Sequence, residues 1–240
     1  MIQDGVQSQA FQMDSVLMIG QSNMAGRGDM ADVTPIRNPL CFMLRNGRWQ
    51  PMREPINPDR PIFEGRYRSG VSLGASFADS YAQHFGRNVG MIPCADGGTA
   101  MAEWLPGQLL YDHALLQTKL AQRTSRLKAI LWHQGESDSH DPALVEAYAQ
   151  RLLTMIAELR REVGNVPVIL GQLHPGIVAQ VPGAQIDRMN SIFAQIARQL
   201  PGCAVAKTTD LTLKPDNLHF DAASCRELGK RYFQAYLQAL

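Results

Sequence analysis

No stretch of this chain approaches the roughly 20 consecutive apolar residues that a membrane-spanning helix requires, so no membrane partner is expected. The opening residues, Met1-Ile2-Gln3-Asp4-Gly5, have neither a cationic start nor a long apolar region, which excludes a secretory signal there. As it stands the chain reads as cytoplasmic; secretion would require a signal removed beforehand. Neither sign of charge is in excess: 23 Lys and Arg face 22 Asp and Glu, without long runs. Nucleic acid is therefore not an expected partner, and the substrate is expected to be small or neutral. Cysteine is sparse, and Cys41, Cys94, Cys203 and Cys225 form no C-x-x-C pair. That argues against a zinc site or a redox motif and for free, mostly buried thiols. Gly26-Arg27-Gly28 lacks the Lys-Ser/Thr ending of a phosphate-binding loop. His133 and Glu136 stand three residues apart, but no further ligand has suitable spacing, so neither metal nor organic cofactor is expected. Nothing in the pattern fixes an oligomeric state.

What is present is an alternation of short apolar runs with amphipathic stretches, in a chain of 240 residues that is 45% apolar. This pattern predicts βα units, a parallel sheet and one domain over residues 1–240. Strands are expected at about Ser15–Ile19, Asn88–Pro93, Leu127–Trp132, Val166–Leu170 and Cys203–Ala206. Leu144, Val145, Tyr148, Leu152, Ile156 and Leu159 recur at helical spacing, with Asp141 as cap, Pro142 in the first turn and Gly164 beyond the end. Further helices are expected through Leu73, Phe77 and Tyr81, ending before Gly86, and around Leu115–Leu120. Two more follow Ile186, Met189, Phe193 and Ile196, and Cys225, Leu228, Tyr232 and Tyr236, the last beginning near Asp221. The stretch 27–71 breaks this rhythm, carrying Pro35, Pro39, Pro51, Pro55, Pro58 and Pro61 without a sustained period. Such a Pro-rich insertion reads as a wall or lid over a site rather than a neutral surface loop.

The expected strand ends carry an unusual concentration of polar groups. The first gives Gly20-Gln21-Ser22-Asn23, the second Asp96-Gly97-Gly98-Thr99, and the third His133-Gln134-Gly135-Glu136-Ser137-Asp138. Parallel strands bring all three to one edge, where ligands bind in α/β sheets. A fourth segment, Asp216-Asn217-Leu218-His219-Phe220, precedes the last helix and can fold over the same edge. A serine hydroxyl is a poor nucleophile unless a neutral imidazole takes its proton and a carboxylate orients that imidazole. Ser22 is the candidate nucleophile, His219 the base and Asp216 its orienter, close enough in sequence for a short turn to join them. Donors for a tetrahedral oxyanion are expected from the backbone amide of Ser22, an amide of Gly97 or Gly98, and the side chain of Gln134. Taken singly, each residue has a plainer reading: a turn serine, a glycine turn, a capping histidine, a satisfied strand-end His133 or Glu136.

These motifs bring a family into view. Gly20-Gln21-Ser22-Asn23-Met24-Ala25-Gly26, Gly97-Gly98-Thr99 followed by Trp104, Trp132-His133-Gln134-Gly135-Glu136-Ser137-Asp138 and Asp216-Asn217-Leu218-His219-Phe220 resemble the SGNH-hydrolase branch of sialate O-acetylesterases and family 6 acetylxylan esterases. Met24 where a second-glycine elbow is needed sets the turn apart from the α/β-hydrolase G-x-S-x-G motif. The resemblance implies a flavodoxin-like, three-layer α/β/α fold with a five-stranded parallel sheet. It implies serine-dependent removal of acetyl groups from sugars or oligosaccharides, without cofactor. Ser22 matches the family's nucleophile, and Asp216 and His219 its Asp-x-x-His pair; Gln134 stands where most SGNH hydrolases carry an oxyanion asparagine.

Gly98 is preferred to Gly97 as amide donor. Gln21, Asn23, Gly97, His133 and Glu136 are candidates to touch substrate or to hold the residues that do, and Glu136 competes with Asp216 as support for the base. A lipase or thioesterase acting on longer acyl chains would use the same machinery, and a non-catalytic carbohydrate-binding protein would keep the fold alone. Trp49 and Trp104 either stack on a sugar or fill the core, and the loop from His174 to Gly183 is expected to shape specificity.

Overall fold

Five short apolar runs become the parallel strands β1 (Met13–Gly20), β4 (Val89–Pro93), β5 (Ser125–His133), β6 (Val168–Gly171) and β7 (Cys203–Ala206) in a computed structural model that describes residues 13–58 and 68–240. The expectations about Met1–Gly5 and Pro61 lie outside the described residues. β1 is buried along its whole length because it lies between β4 and β5, with helices on both faces. Its side chains alternate as a strand requires: Val16 and Met18 enter one core, Leu17 and Ile19 the other. The first core is closed by α2 (Leu73–Phe85) and α6 (Ala222–Gln238), the second by α3 (Leu109–Gln122), α4 (Pro142–Val163) and α5 (Ile186–Gln199). This is the three-layer α/β/α architecture.

Among the described residues the sheet has seven strands, not five, in the order β3-β2-β4-β1-β5-β6-β7. The additional pair, β2 (Cys41–Arg45) and β3 (Arg48–Pro51), arises within the Pro-rich insertion. β2 joins β4 in parallel, and β3 forms an antiparallel edge. Its turn is Asn46-Gly47, with φ of 52° and 71°, the pairing that matches a two-residue hairpin to strand twist. Removing this pair leaves the order of the flavodoxin-like sheet, whose direction of winding reverses between β1 and β5. At that reversal a crevice opens at the carboxyl ends of the strands.

Local chemistry sets the helix ends. Ser72 accepts a bond from Gly74 N–H before α2, and Gly86, at φ 61°, ends it. The Asp141 carboxylate accepts from Ala143 N–H before α4, and Asp221 accepts from Ser224 N–H before α6. α3 is longer than its leucines suggest. Its buried stripe is Tyr111, Ala114, Thr118 and Ala121, while Leu109 and Leu116 face solvent.

The described part of the insertion is held to the sheet edge, α2 and α6 from several sides, and among its described residues only Arg27 reaches the cavity beside Ser22, so the expected wall or lid is not seen in them. Gly28 and Val71 bridge its ends, and Asn38 donates to Asp79 on α2. Buried Glu54 pairs with Arg226 of α6. Asn57 exchanges two hydrogen bonds, of 3.1 and 3.2 Å, with the backbone of Ala95 just past β4. All four cysteines are free, with Cys41, Cys94 and Cys225 buried and Cys203 half-buried. Among the described residues, no helix is long and apolar enough to cross a membrane.

Candidate active site

Ser22 opens a single helical turn, α1 (Ser22–Ala25), directly after β1. Gly20 makes this turn possible: its φ is 128°, and a Cβ there would stand 2.1 Å from the carbonyl oxygen of His133 on the neighbouring strand. The next residue, Gln21, donates its backbone N–H to that same carbonyl, fixing Ser22 over the crevice. Ser22 N–H belongs to the first turn and has no partner within the helix.

The residue facing Ser22 comes from a second turn far along the chain. Leu213 and Phe220 pair as an antiparallel bridge, and between them Lys214-Pro215-Asp216-Asn217 reverses direction, with Asn217 N–H on Lys214 O. Proline supplies the φ of an early turn position, and asparagine tolerates its left-handed φ of 53°. Asp216 completes the local geometry: Oδ1 accepts from the backbone N–H groups of Leu218 and His219, at 3.0 and 2.9 Å. Its Oδ2 meets His219 Nδ1 at 2.8 Å, and His219 Nε2 meets Ser22 Oγ at 2.9 Å. With the Nδ1 proton donated to the carboxylate, the Nε2 lone pair is left for the serine hydroxyl.

Burial of the imidazole lowers the His219 pKa from its ordinary value, against the upward pull of Asp216, and nearby Arg27 and Lys214 add to the lowering. The shift favours the neutral imidazole. Partial burial works against the charge of Asp216, but the hydrogen bonds from His219 and Leu218 outweigh it and hold the carboxyl below its usual value.

A cavity of about 390 Å³ opens over this pair. Gln21, Ser22 and Arg27 line it from the first turn, Gly97 and Gly98 from the loop after β4. Glu136, Ser137 and His140 enter after β5, and Leu218 and His219 close it. Val181 also reaches it, so the loop from His174 to Gly183 does contribute a wall. At Gly97 a Cβ would lie 3.5 Å from Ser22 Cβ and 2.6 Å from Arg27 Nη2, whereas at Gly98 nothing stands within 4 Å and only its φ of 77° calls for glycine. The tighter approach to the serine is thus made by Gly97, and the preference for Gly98 has no steric support.

The expectation for Gln134 is corrected. Its side chain is fully buried beneath the cavity, with Nε2 donating to Thr99 O at 2.9 Å and to Asp138 Oδ2 at 2.6 Å, and Oε1 accepting from Tyr148 OH at 2.7 Å. Both amide hydrogens are committed, so neither is available to an oxyanion. Asp138 also accepts from Met101 N–H, tying this network to the loop after β4. His133 is likewise out of reach of substrate: it is buried, and Nδ1 meets Tyr232 OH at 2.9 Å.

Glu136 does not touch the His219 imidazole. Its carboxylate accepts from Asn23 Nδ2 at 2.7 Å and lies 3.8 Å from His133 Nε2, while Asp216 holds the imidazole of His219. Burial pushes the Glu136 carboxyl up to about 7, opposed by its bond from Asn23. Trp49 and Trp104 are structural: Trp49 covers Gly90 and donates to Thr124, and buried Trp104 donates to Thr99 and packs edge-on against Trp132.

Sequence reasoning overlooked Arg27 and Tyr148. Lys214 Nζ donates to Arg27 O at 2.9 Å, which ties the start of the insertion to the His219 turn. For Tyr148 there was a signal, since a tyrosine within the apolar stripe of a helix must find a partner for its hydroxyl.

A family model described as carbohydrate esterase, sialic acid-specific acetylesterase matches residues 12–238. A protein of Arabidopsis thaliana described as a probable carbohydrate esterase is 31% identical over 242 residues, covering 92% of this chain and 89% of that protein. The solved structure of an Arabidopsis thaliana protein superposes with a TM-score of 0.83 at 30% identity, covering 94% of this chain and 98% of the other. The structure of NanS superposes with a TM-score of 0.75 at 15% identity, covering 95% and 98%. At that identity the likeness speaks for the fold alone.

Proposed function

This chain belongs to the carbohydrate esterase family of sialic acid-specific acetylesterases, and from that premise we propose that it is a serine-dependent O-acetylesterase acting on an acetylated sugar. The observation that carries this reading is the unbroken line of hydrogen bonds from Ser22 Oγ through the His219 imidazole to Asp216. His219 Nε2 takes the Ser22 proton as Oγ attacks the acetyl carbonyl carbon. The carbonyl oxygen becomes an oxyanion facing Ser22 N–H and the N–H groups of the Gly97-Gly98 turn, where each donor of this kind lowers the barrier by about 3–4 kcal/mol. Collapse expels the sugar oxygen, which leaves with the proton from His219. Water then gives a proton to His219 and attacks the acetyl-serine carbonyl; Oγ departs with that proton, releasing acetate.

Asp216 holds the imidazole in the required tautomer and stabilises the imidazolium in both halves. The cavity of about 390 Å³ lies toward the small end of ligand sites, which run from about 300 to 1,000 Å³. That size supports an acetyl ester of one sugar unit rather than a long acyl chain.

The test is acetate release from acetylated xylo-oligosaccharides, acetylated sialic acids and simple acetylated sugars, alongside p-nitrophenyl esters of increasing chain length. Wild type is expected to prefer acetyl, and Ser22→Ala to lose at least about 10³-fold in kcat. Undiminished turnover by Ser22→Ala would remove the serine from the reaction, and a rate that climbs with chain length would replace the sugar ester by a lipid.

A further inference from the structure

The side chain after the serine makes a set of contacts that the reaction as described does not use. Asn23 is buried, yet its amide is spent on the turn that carries His219. Oδ1 accepts from Phe220 N–H at 3.2 Å, and Nδ2 donates to Leu218 O at 3.1 Å. Those residues flank His219 on either side. The same Nδ2 donates to Glu136 Oε1 at 2.7 Å, a third bond that requires the same orientation of the amide and holds it from the opposite side.

Apart from its own backbone N–H, the Glu136 carboxyl finds no other hydrogen-bond donor among the described residues. Buried to 2% exposure, its Oε2 accepts no hydrogen bond from the described residues. Tyr232 donates its hydroxyl proton to Trp132 O at 2.8 Å, so His133 must donate Nδ1–H to Tyr232. His133 Nε2 is then a bare lone pair facing the Glu136 carboxyl at 3.8 Å. Asp138 and the hydroxyls of Tyr148 and Tyr232 supply the remaining field around Glu136. A buried carboxyl set this way invests its one strong bond in Asn23.

We propose that Asn23 and Glu136 are a positioning pair that holds the His219 imidazole against Ser22 Oγ: Asn23 grips the main chain on both sides of His219, and Glu136 locks the Asn23 amide. The pair joins the serine's own helical turn to the base's own loop, so it controls the one distance on which proton transfer depends. The inference rests on the reading of Ser22 and His219 as nucleophile and base. Neither residue of the pair needs to touch substrate.

The test combines steady-state kinetics with the rate at which diisopropyl fluorophosphate labels Ser22. Asn23→Ala and Glu136→Ala are each expected to lower kcat by about 10- to 100-fold, the scale of a misplacement near 1 Å, with KM unchanged within about twofold. The double variant should lose no more than the worse single one, because both break the same connection. Labelling should slow in proportion to kcat. Glu136→Gln, whose amide oxygen accepts the same bond, should stay within about threefold of wild type.

Losses that multiply in the double variant, a change confined to KM, or unchanged labelling of Asn23→Ala would overturn the pairing. If wild type is not labelled at Ser22 and Ser22→Ala keeps its turnover, the nucleophile assignment fails first. Labelling of wild type with no slowing in the variants defeats the positioning pair alone. Should circular dichroism show the alanine variants unfolded, Asn23→Ser, whose short hydroxyl serves one flank of His219 at most, is measured in the same way.

Discussion

The cluster of Ser22, His219 and Asp216 and the cluster of Gln134, Asp138 and Tyr148 occupy the same edge of the sheet, in motifs that look equally polar on paper. In the first, the hydrogen bonds form a line that ends on a serine facing a cavity, and Asp216 remains 42% exposed. In the second, they turn inward: Gln134 and Asp138 are both fully buried, and every hydrogen of the glutamine amide is taken. With its amide and hydroxyl donors all committed, this network has none left to give a substrate, but it fixes the positions of the loops around it. An open line leaves one group free to react. The difference between chemistry and scaffold here lies in where the last hydrogen bond ends.

The largest effect that would break this comparison is on the open side. Asp216→Asn keeps the acceptor for the Leu218 and His219 amides but loses the carboxylate that fixes the imidazole tautomer. A fall in kcat on the order of 10⁴-fold, with the melting temperature little changed, is expected. A fall below about tenfold would place the supporting acid elsewhere.

On the closed side the effect should be on stability. Gln134→Met strips Asp138 and Thr99 O of a donor and Tyr148 of an acceptor. Asp138 Oδ2 keeps its bond from Met101 N–H and Tyr148 OH keeps Gln134 O, so chemical denaturation should show a loss of about 1–3 kcal/mol, the cost of orphaning Thr99 O, while the folded variant keeps kcat within about fivefold. The opposite result, full stability with kcat down 10²- to 10³-fold, a drop characteristic of a lost oxyanion donor, would return Gln134 to the chemistry.

The smallest effect is the pH profile. With His219 proposed as the base and its pKa lowered from the ordinary 6.5 by burial, kcat/KM should rise through a pKa under 6.5 and be level above it. Protonation on the acid side removes the base. Asp216→Asn removes the charge that pulls this pKa upward, so its acid limb should move to still lower pH. A limb above 6.5 in wild type would show that the pull of Asp216 outweighs the burial.

Much of this was legible before any coordinates. β1, β4, β5, β6 and β7 are short apolar runs whose periods and flanking polar motifs name them as parallel strands, and Asp141-Pro142 with Gly164 marks both ends of α4. β2 and β3 were hidden because prolines surround them and neither is long, although Asn46-Gly47 carried the hairpin signal. The full length of α3 is not legible because Leu109 and Leu116 face water and its buried stripe is built from alanine, threonine and tyrosine.

At the site, the motifs told which segments meet, since parallel strands share an edge. They did not tell where an amide points. Gln134 and Asn23 have the same functional group and stand in comparable motifs, yet one is sealed into a network and the other spans the gap to the His219 loop. That distinction depends on Tyr148 and Asp138 in one case and on Leu218 and Phe220 in the other, partners brought in by the tertiary fold.

The bond between Ser22 and His219 joins positions 197 residues apart. Closing a loop of that length has an entropic cost that no local contact repays, so the site comes into being only when β1 sits within the sheet and α6 has docked upon it. Hydrolytic activity is then a reporter of global assembly. A chain that has formed its sheet but not seated α6 holds a serine without its partner imidazole, and during synthesis the site stays silent until the chain through α6 has emerged and folded.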